Sequence, residues 1–163
     1  MRYYEELLKH LQAENREKAA ILEEEVNIMT HKLKYLPAES FPSVVILSQK
    51  DDFIPLSSES LHEKVTLAGG KLTADVNEGP HIVIVLQQDE SLYSQLFELL
   101  QQPWLLASSA YQNNAIFVIE KTYFDGDLYD YLVETEILAE ILQPKYFYFG
   151  HEGSGWIKFD IAG

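Results

Sequence analysis

Apolar side chains recur every three or four positions along the first part of the chain, which is the spacing of one face of an α-helix. Ala13, Glu14 and Asn15 form a break in this series, with Asn15 and Lys18 at apolar positions of the pattern, so a short helix followed by a longer one is predicted. Pro37 and Pro42 then end the helical region and begin an extended segment. The apolar positions of the two helices are Tyr4, Leu8, Leu11, Leu22, Val26, Met29, Leu33 and Leu36.

Four short runs rich in Val and Ile follow, and such runs are typical of strands buried on both faces. Helical spacing lies between them, over 91–100 and 127–142. This alternation predicts an α/β fold, a three-layer sandwich with a mainly parallel central sheet. The closing segment, KYFYFGHEGSGWIKFDIAG, has two aromatic runs around glycines and predicts a C-terminal β-hairpin. The four runs are SVVILS (43–48), KVTLAGG (64–70), HIVIVL (81–86) and AIFVIE (115–120).

Three polar loops follow the first, third and fourth of these predicted strands. Parallel strands would bring the loops to one edge of the sheet, where open α/β proteins bind ligands. Aromatic rings in the loops can stack on a flat ligand. The alternative is that these aromatic residues cover a surface or meet a partner chain. The candidate ligand-binding residues are Lys50, Asp51, Asp52 and Phe53, then Gln87 and Gln88, and finally Thr122, Tyr123 and Phe124.

Composition narrows the range of partners. The chain has 163 residues, 47% of them hydrophobic, and a single domain over 1–163 is expected. A formal charge of -14 repels phosphate backbones and anionic lipid, so no nucleic acid is expected as a partner. No apolar run is long enough for membrane insertion, and no secretory leader is apparent. We therefore expect a cytoplasmic location if the chain is complete, and a periplasmic one if a leader has been removed.

The sequence contains no established catalytic, metal or cofactor motif. It has no cysteine, and its histidines lack metal-ligand spacing. His151, Glu152 and Ser154 suggest a serine–histidine–acid set, but such sets are assembled from distant segments, so a turn is the favoured interpretation. Asp127 is expected to cap the helix that follows it. We assign no catalytic residue, metal or cofactor, and do not expect an enzyme.

Several segments occur in a familiar order over roughly residues 14–147. These segments are AENREKAAILEEEVNIMTHKL, PSVVILS, LAGGKLT, GPHIVIV, PWLLASSAYQNNAIFVIEKTYF and AEILQPKYF. They resemble the C-terminal lobe of the periplasmic substrate-binding proteins of iron-siderophore, haem and cobalamin ABC importers, the TroA-like class. By this resemblance, 1–36 matches the helix that joins the two lobes, 41–147 the α/β lobe, and 148–163 an extension without counterpart. The N-terminal lobe of that family has no match here.

The resemblance implies a non-enzymatic binding domain that recognises a metal complex or a tetrapyrrole at the loop edge named above. An alternative is an interaction or assembly scaffold without a small-molecule ligand, forming a homodimer through the N-terminal helix and the aromatic hairpin. A third hypothesis is an enzyme that uses His151 or a carboxylate pair.

Overall fold

The computed structural model describes residues 1–121 and 123–161. In this part of the chain six strands form one sheet in the order β2-β1-β4-β5-β6, with β3 also paired to β1. The pairs of β1 with β3 and β4, and of β4 with β5, are parallel, whereas β2 and β6 pair antiparallel at the edges. The prediction of a mainly parallel sheet is confirmed. The strands are β1 (Ser43–Ser48), β2 (Ile54–Pro55), β3 (Lys71–Leu72), β4 (Ile82–Leu86), β5 (Ile116–Ile119) and β6 (Trp156–Phe159).

The predicted break near residue 15 separates the first two helices. Asn15 has extended backbone dihedrals, and its side chain accepts a hydrogen bond from the Lys18 amide at 3.2 Å, which caps the second helix. Of the helices described, none has both the length and the apolar character needed to cross a membrane. The helices are α1 (Arg2–Glu14), α2 (Arg16–Leu33), α3 (Glu59–Leu67), α4 (Leu92–Leu99), α5 (Pro103–Leu106), α6 (Ser109–Gln112) and α7 (Tyr131–Leu142).

The sheet separates two hydrophobic cores, which gives the predicted three layers. Val44 and Ile46 of β1 point into a core shared with α1, α2, α3 and α7. Val45 and Leu47 point into the other core, shared with α4, α5 and α6. All four side chains are fully buried, because helices cover both faces of the strand. The continuous apolar run of β1 is therefore a direct consequence of the layered architecture. The assignment of 1–163 to a single domain stays a prediction.

The N-terminus of α1 is attached to α3 by one carboxylate. Glu63 accepts hydrogen bonds from the amides of Tyr3 and Tyr4, at 3.1 and 2.9 Å, and from the Tyr131 hydroxyl at 2.6 Å. The first amides of a helix have no partner within the helix, so this contact satisfies them and offsets the positive end of the helix dipole. It fixes α1 against α3 and α7.

The prediction of a strand over 64–70 is wrong, since this run continues helix α3. The Ser58 side chain accepts a hydrogen bond from the Leu61 amide and caps the helix at its start. Leu61, Val65 and Ala68 are buried at helical spacing. Gly69, with a φ of +95°, then ends the helix. The strand that leads back into the sheet is the short β3.

The C-terminal segment differs from the predicted hairpin. Among its described residues only the second aromatic run forms a strand, β6, whose antiparallel partner is β5. The amides of Phe149, Gly150 and His151 donate instead to the buried carboxylate of Glu140 on α7. These amides have a side-chain acceptor, so the first run does not form a sheet ladder.

Candidate functional site

A cavity of about 240 Å³ opens at the carboxyl edge of the sheet, and we call it the edge cavity. The loops after β1, β2, β4 and β5 all contribute to its wall. They meet there because β1, β4 and β5 run parallel and end at the same edge. The lining residues are Ser48, Lys50, Asp51, Leu56, Ser57, Ser58, Leu86, Gln87, Gln88, Lys121, Tyr123, Phe124 and Asp125.

The candidate ligand-binding residues divide between two places. Asp52 and Phe53 line a separate groove of about 740 Å³, bounded also by Val76 and Trp104. Thr122 lies outside the described residues. The candidates that line the edge cavity are Lys50, Asp51, Gln87, Gln88, Tyr123 and Phe124.

Gln49, a buried residue at the end of β1, holds two of the loops together. Its side-chain oxygen accepts hydrogen bonds from the amides of Gln88 and Asp89, at 2.7 and 3.0 Å. Its nitrogen lies 3.0 Å from oxygen atoms of Asp89, Ser91 and Gln95. The Ser91 hydroxyl and amide also donate to the Asp89 carboxylate, and this lowers the pKa of Asp89. The Gln49 side chain thus fixes the loop after β4 to the loop after β1.

The loops at this edge contain unusual backbone conformations. Asp52, Phe53, Tyr123 and Asp125 have φ values of 56°, 61°, 59° and 63°. Positive φ is sterically costly for residues other than glycine, particularly for aromatic ones. Such conformations persist where surrounding contacts fix them, and they cluster at functional sites. Asn114, before β5, is the other described non-glycine residue with positive φ.

A buried ionic network holds the loop that follows β5 in place. Lys64 Nζ on α3 lies 2.7 Å from Glu134 Oε1 on α7 and 2.6 Å from Asp125 Oδ1. Glu134 also accepts the Asp125 amide through both of its oxygens. The Lys64 contact with Asp125 Oδ1 is an ion pair by distance, since that oxygen has no aligned hydrogen-bond donor. Ser58 donates to Asp125 Oδ2 at 2.6 Å. Asp125, a wall residue of the edge cavity, is therefore held on two sides.

Lys121 extends the network to the cavity wall. Its Nζ atom lies 2.9 Å from Asp130 Oδ2 and 3.0 Å from Glu134 Oε2. Burial by itself lowers the pKa of Lys121, but the hydrogen bonds and charges of the two carboxylates outweigh burial and raise this pKa. Lys121 therefore carries a positive charge at neutral pH on the rim of the cavity.

Sequence reasoning missed the buried polar residues that position these loops. Glu134 and Glu140 lie within the largely apolar sequence of α7, and Gln49 directly follows a buried strand. A charged residue at a core position of a helix is rare unless it is paired, so this pattern was the available signal. The partner Lys64 had no such signal, because it was assigned to a strand.

His151 lies in a structural contact. Its Nε2 atom lies 2.9 Å from Glu136 Oε1, and its amide donates to Glu140. Burial raises the pKa of Glu136, and the contact with His151 partly offsets this increase. Asp127 accepts the Tyr129 amide and so caps the short 3₁₀ turn, Leu128–Asp130, that leads into α7, whereas α7 itself begins after Asp130. Across residues 1–121 and 123–161, no group of three His, Asp or Glu side chains is placed to hold a metal ion.

The fold has close counterparts among solved structures. FepB from Veillonella parvula, a TroA-like periplasmic binding protein, superimposes with a TM-score of 0.55 at 17% identity, over 80% of this chain and 48% of FepB. The chain has the fold of one lobe of a TroA-like binding protein. The resemblance inferred from the sequence is thereby confirmed at the level of fold.

Two further structures show the same relationship. IsdE from S. aureus, in complex with heme, gives a TM-score of 0.62 at 15% identity, over 86% of this chain and 63% of IsdE. CeuE from Helicobacter pylori, with Ni(II) bound, gives 0.62 at 15% identity, over 88% of this chain and 51% of CeuE. The chain thus spans about half to two thirds of the length of these proteins. No family model and no curated protein matches the sequence.

Proposed function

We propose that this lobe is a non-enzymatic binding domain whose edge cavity recognises a metal complex or a tetrapyrrole. The supporting observation is that the loops after the parallel strands β1, β4 and β5, with the loop after β2, converge at the carboxyl edge of a fold shared with solute-binding proteins, of which IsdE is complexed with heme and CeuE holds Ni(II). The candidate residues are those named from the sequence: Lys50, Asp51, Gln87, Gln88, Tyr123 and Phe124 at this edge, Asp52 and Phe53 on the adjacent groove, and Thr122, which lies outside the described residues.

The size of the cavity sets the expected mode of binding. Ligand pockets for drug-sized molecules have volumes of roughly 300–1,000 Å³. At about 240 Å³ the edge cavity encloses only part of a tetrapyrrole, so the rest of such a ligand would stay outside the rim. An open site buries less ligand surface than a closed cleft, and we therefore expect modest affinity for this lobe by itself.

The chemistry of the rim suits a flat ligand with acidic substituents. Tyr123 is 80% exposed at the rim, and its ring is available for stacking. Lys50 and Lys121 line the same cavity and supply positive charge on a chain that is otherwise strongly acidic. A carboxylate group of a tetrapyrrole or of a siderophore would pair with Lys50, since Lys121 is already paired with Asp130 and Glu134.

The test is a titration of the full chain with haemin, cobalamin and a ferric catecholate siderophore, followed by absorbance and by melting temperature. We expect one of them to bind and Tyr123→Ala to weaken that binding about three- to tenfold, because stacking contributes ~0.5–1.5 kcal/mol. Tyr148→Ala is the matched control, since Tyr148 is 87% exposed and lies outside the edge cavity. Absence of binding by all three probes, or equal weakening by both variants, would refute the proposal.

The assembly scaffold is a second candidate, and one observation favours it. Helix α2 exposes Ile21 and Ile28, which a monomer leaves in contact with water. The aromatic hairpin of that hypothesis is not formed, so the helix alone supports it. The enzyme hypothesis has no comparable support, because His151 is paired with Glu136 and its amide with Glu140.

A further inference from the structure

A stripe of apolar side chains runs along the outer surface of α2. It consists of Ile21 and Ile28 on the helix, 54% and 41% exposed, and of Tyr35, 80% exposed, in the turn just after the helix ends at Leu33. Ile21 and Ile28 are seven positions apart, which is close to two full turns, so their side chains lie almost in line along the helix. The opposite face of α2, with Leu22, Val26 and Met29 among others, is buried in the core. We call these three exposed residues the α2 stripe.

The C-terminal segment lengthens this apolar surface. Lys32 Nζ donates to the Tyr146 carbonyl oxygen at 3.0 Å and so places residues 146–148 beside the end of α2. Tyr146 and Tyr148 are both exposed there. Exposed apolar patches of this kind, bordered by charged residues, mark contact surfaces for other proteins.

The charges beside the stripe are arranged so that the surface complements itself. Glu24 and Glu25 precede Ile28 by four and three residues, and His31 and Lys32 follow it by three and four. If two copies of α2 pack antiparallel about a two-fold axis at Ile28, each glutamate of one copy comes opposite a basic residue of the other. Ile21 of one copy then faces the region where the second copy's α2 ends, next to Tyr35.

A parallel pair lacks this complementarity. It would place each glutamate beside the same glutamate of the other copy, and like charges at close range repel. The net charge of -14 also opposes association in general. Only an arrangement that pairs opposite charges locally overcomes this repulsion, and the antiparallel register does so.

From this arrangement we infer that the α2 stripe is the contact surface of a two-fold symmetric homodimer, in which two α2 helices pack antiparallel with Ile28 on the axis. A single helix pair buries less surface than a stable dimer of standard size. The dimer is therefore weak, and it forms reversibly as the protein concentration rises. This inference is independent of the ligand proposed for the edge cavity.

Sedimentation equilibrium at physiological salt, over a wide range of protein concentration, tests the inference. We expect the full chain to show a monomer–dimer equilibrium and Ile28→Lys to stay monomeric. Phe97→Lys is the matched control, because Phe97 is 68% exposed on α4, across the sheet, and should leave the equilibrium unchanged. Glu24→Lys should weaken association at least threefold, and adding His31→Glu should restore part of the loss, since Glu24 and His31 are seven positions apart on one side of the stripe and meet across the two-fold axis.

Cross-linking tests the position of the axis. The native chain contains no cysteine, so a single introduced thiol reports only on its own copy. Oxidised Ile28→Cys should form a disulfide-linked dimer, because a residue on the axis meets itself within the roughly 4.4–6.8 Å between Cα atoms that a disulfide requires. Ile21→Cys should not, since its two copies lie about 21 Å apart along the antiparallel helices. A monomer at every concentration, a dimer insensitive to Ile28→Lys, or equal cross-linking of both variants would overturn the inference.

Discussion

Lys64 Nζ lies 2.7 Å from Glu134 Oε1, and the two side chains are 2% and 0% exposed. A buried ion pair gains stability only when both charges and their remaining hydrogen-bonding atoms have partners. Asp125 and Lys121 supply these partners. The pair joins α3 to α7 and at the same time holds the β5 loop that lines the edge cavity.

Replacing Lys64 with methionine should destabilise the protein strongly. The buried carboxylates of Glu134 and Asp125 would then lose the ammonium group that lies between them. We therefore expect Lys64→Met to lower the free energy of unfolding by about 3 kcal/mol. Adding Glu134→Gln should recover part of this loss, because the uncompensated charge is removed. Urea unfolding measures both values. Arg2→Ala is the control, since the Arg2–Glu59 pair is 74% and 77% exposed and should contribute less than about 1 kcal/mol. Equal effects of Lys64→Met and Arg2→Ala would contradict this account.

Gln49→Ala should release the β4 loop from the β1 loop. The amides of Gln88 and Asp89 would lose their acceptor, so we expect a loss of about 2 kcal/mol in unfolding free energy. Hydrogen exchange of these two amides should accelerate more than that of amides within β4. Gln112→Ala, at an exposed position on α6, should change stability by no more than about 0.5 kcal/mol. Unchanged exchange at Gln88 and Asp89 would show that Gln49 does not hold the loop.

Two glycines with nearly equal positive φ values allow the effect of backbone strain to be compared with the effect of packing. Gly69 and Gly153 have φ values of +95° and +93°, so alanine is strained equally at both. A Cβ atom at Gly69 would lie 2.6 Å from the Gln143 Cγ atom, whereas nothing lies within 4 Å at Gly153. We expect Gly69→Ala to lower the free energy of unfolding by about 1–2 kcal/mol more than Gly153→Ala does, as measured by thermal or urea unfolding. Equal losses of unfolding free energy in the two variants would mean that the Gln143 side chain moves away from the new Cβ atom without destabilising the fold.

The ionic network should weaken at alkaline pH. The folded-state pKa of Lys121 is raised, so its stabilisation is complete below the ordinary lysine pKa of about 10.4 and is lost as pH rises through the folded value. The difference in unfolding free energy between the native chain and Lys121→Met should therefore stay constant between about pH 7 and pH 9 and shrink above about pH 10. Tyrosines such as Tyr131 titrate in both proteins and cancel in the difference. A difference that persists at high pH would argue against the pairing of Lys121 with Asp130 and Glu134.

The elements that could be predicted were those whose sequence pattern reflects a local rule. The break at Asn15 follows from side-chain capping, and the apolar runs of β1, β4 and β5 follow from burial on both faces. Residues 64–70 were mistaken for a strand because a short apolar run carries too little periodicity to distinguish a helix from a strand.

The residues around the edge cavity could likewise be predicted only in part from the sequence. The sequence indicated which loops follow parallel strands, and the folded chain places Lys50, Gln87 and Tyr123 on one cavity. Asp52 and Phe53 line a different groove because the chain reverses direction at their positive-φ positions and enters β2. A change of backbone direction over two residues has no periodic signal in the sequence.

By itself, the sequence determined the layered α/β class, the positions of strands β1, β4 and β5 and the acidic character of the chain, because these depend on composition and on local hydrophobic periodicity. Only the tertiary structure decided which buried charges pair, which loop residues share the edge cavity and which side of α2 stays exposed. These depend on distances between residues far apart in the chain, such as Lys64 and Glu134, and no local pattern encodes such distances.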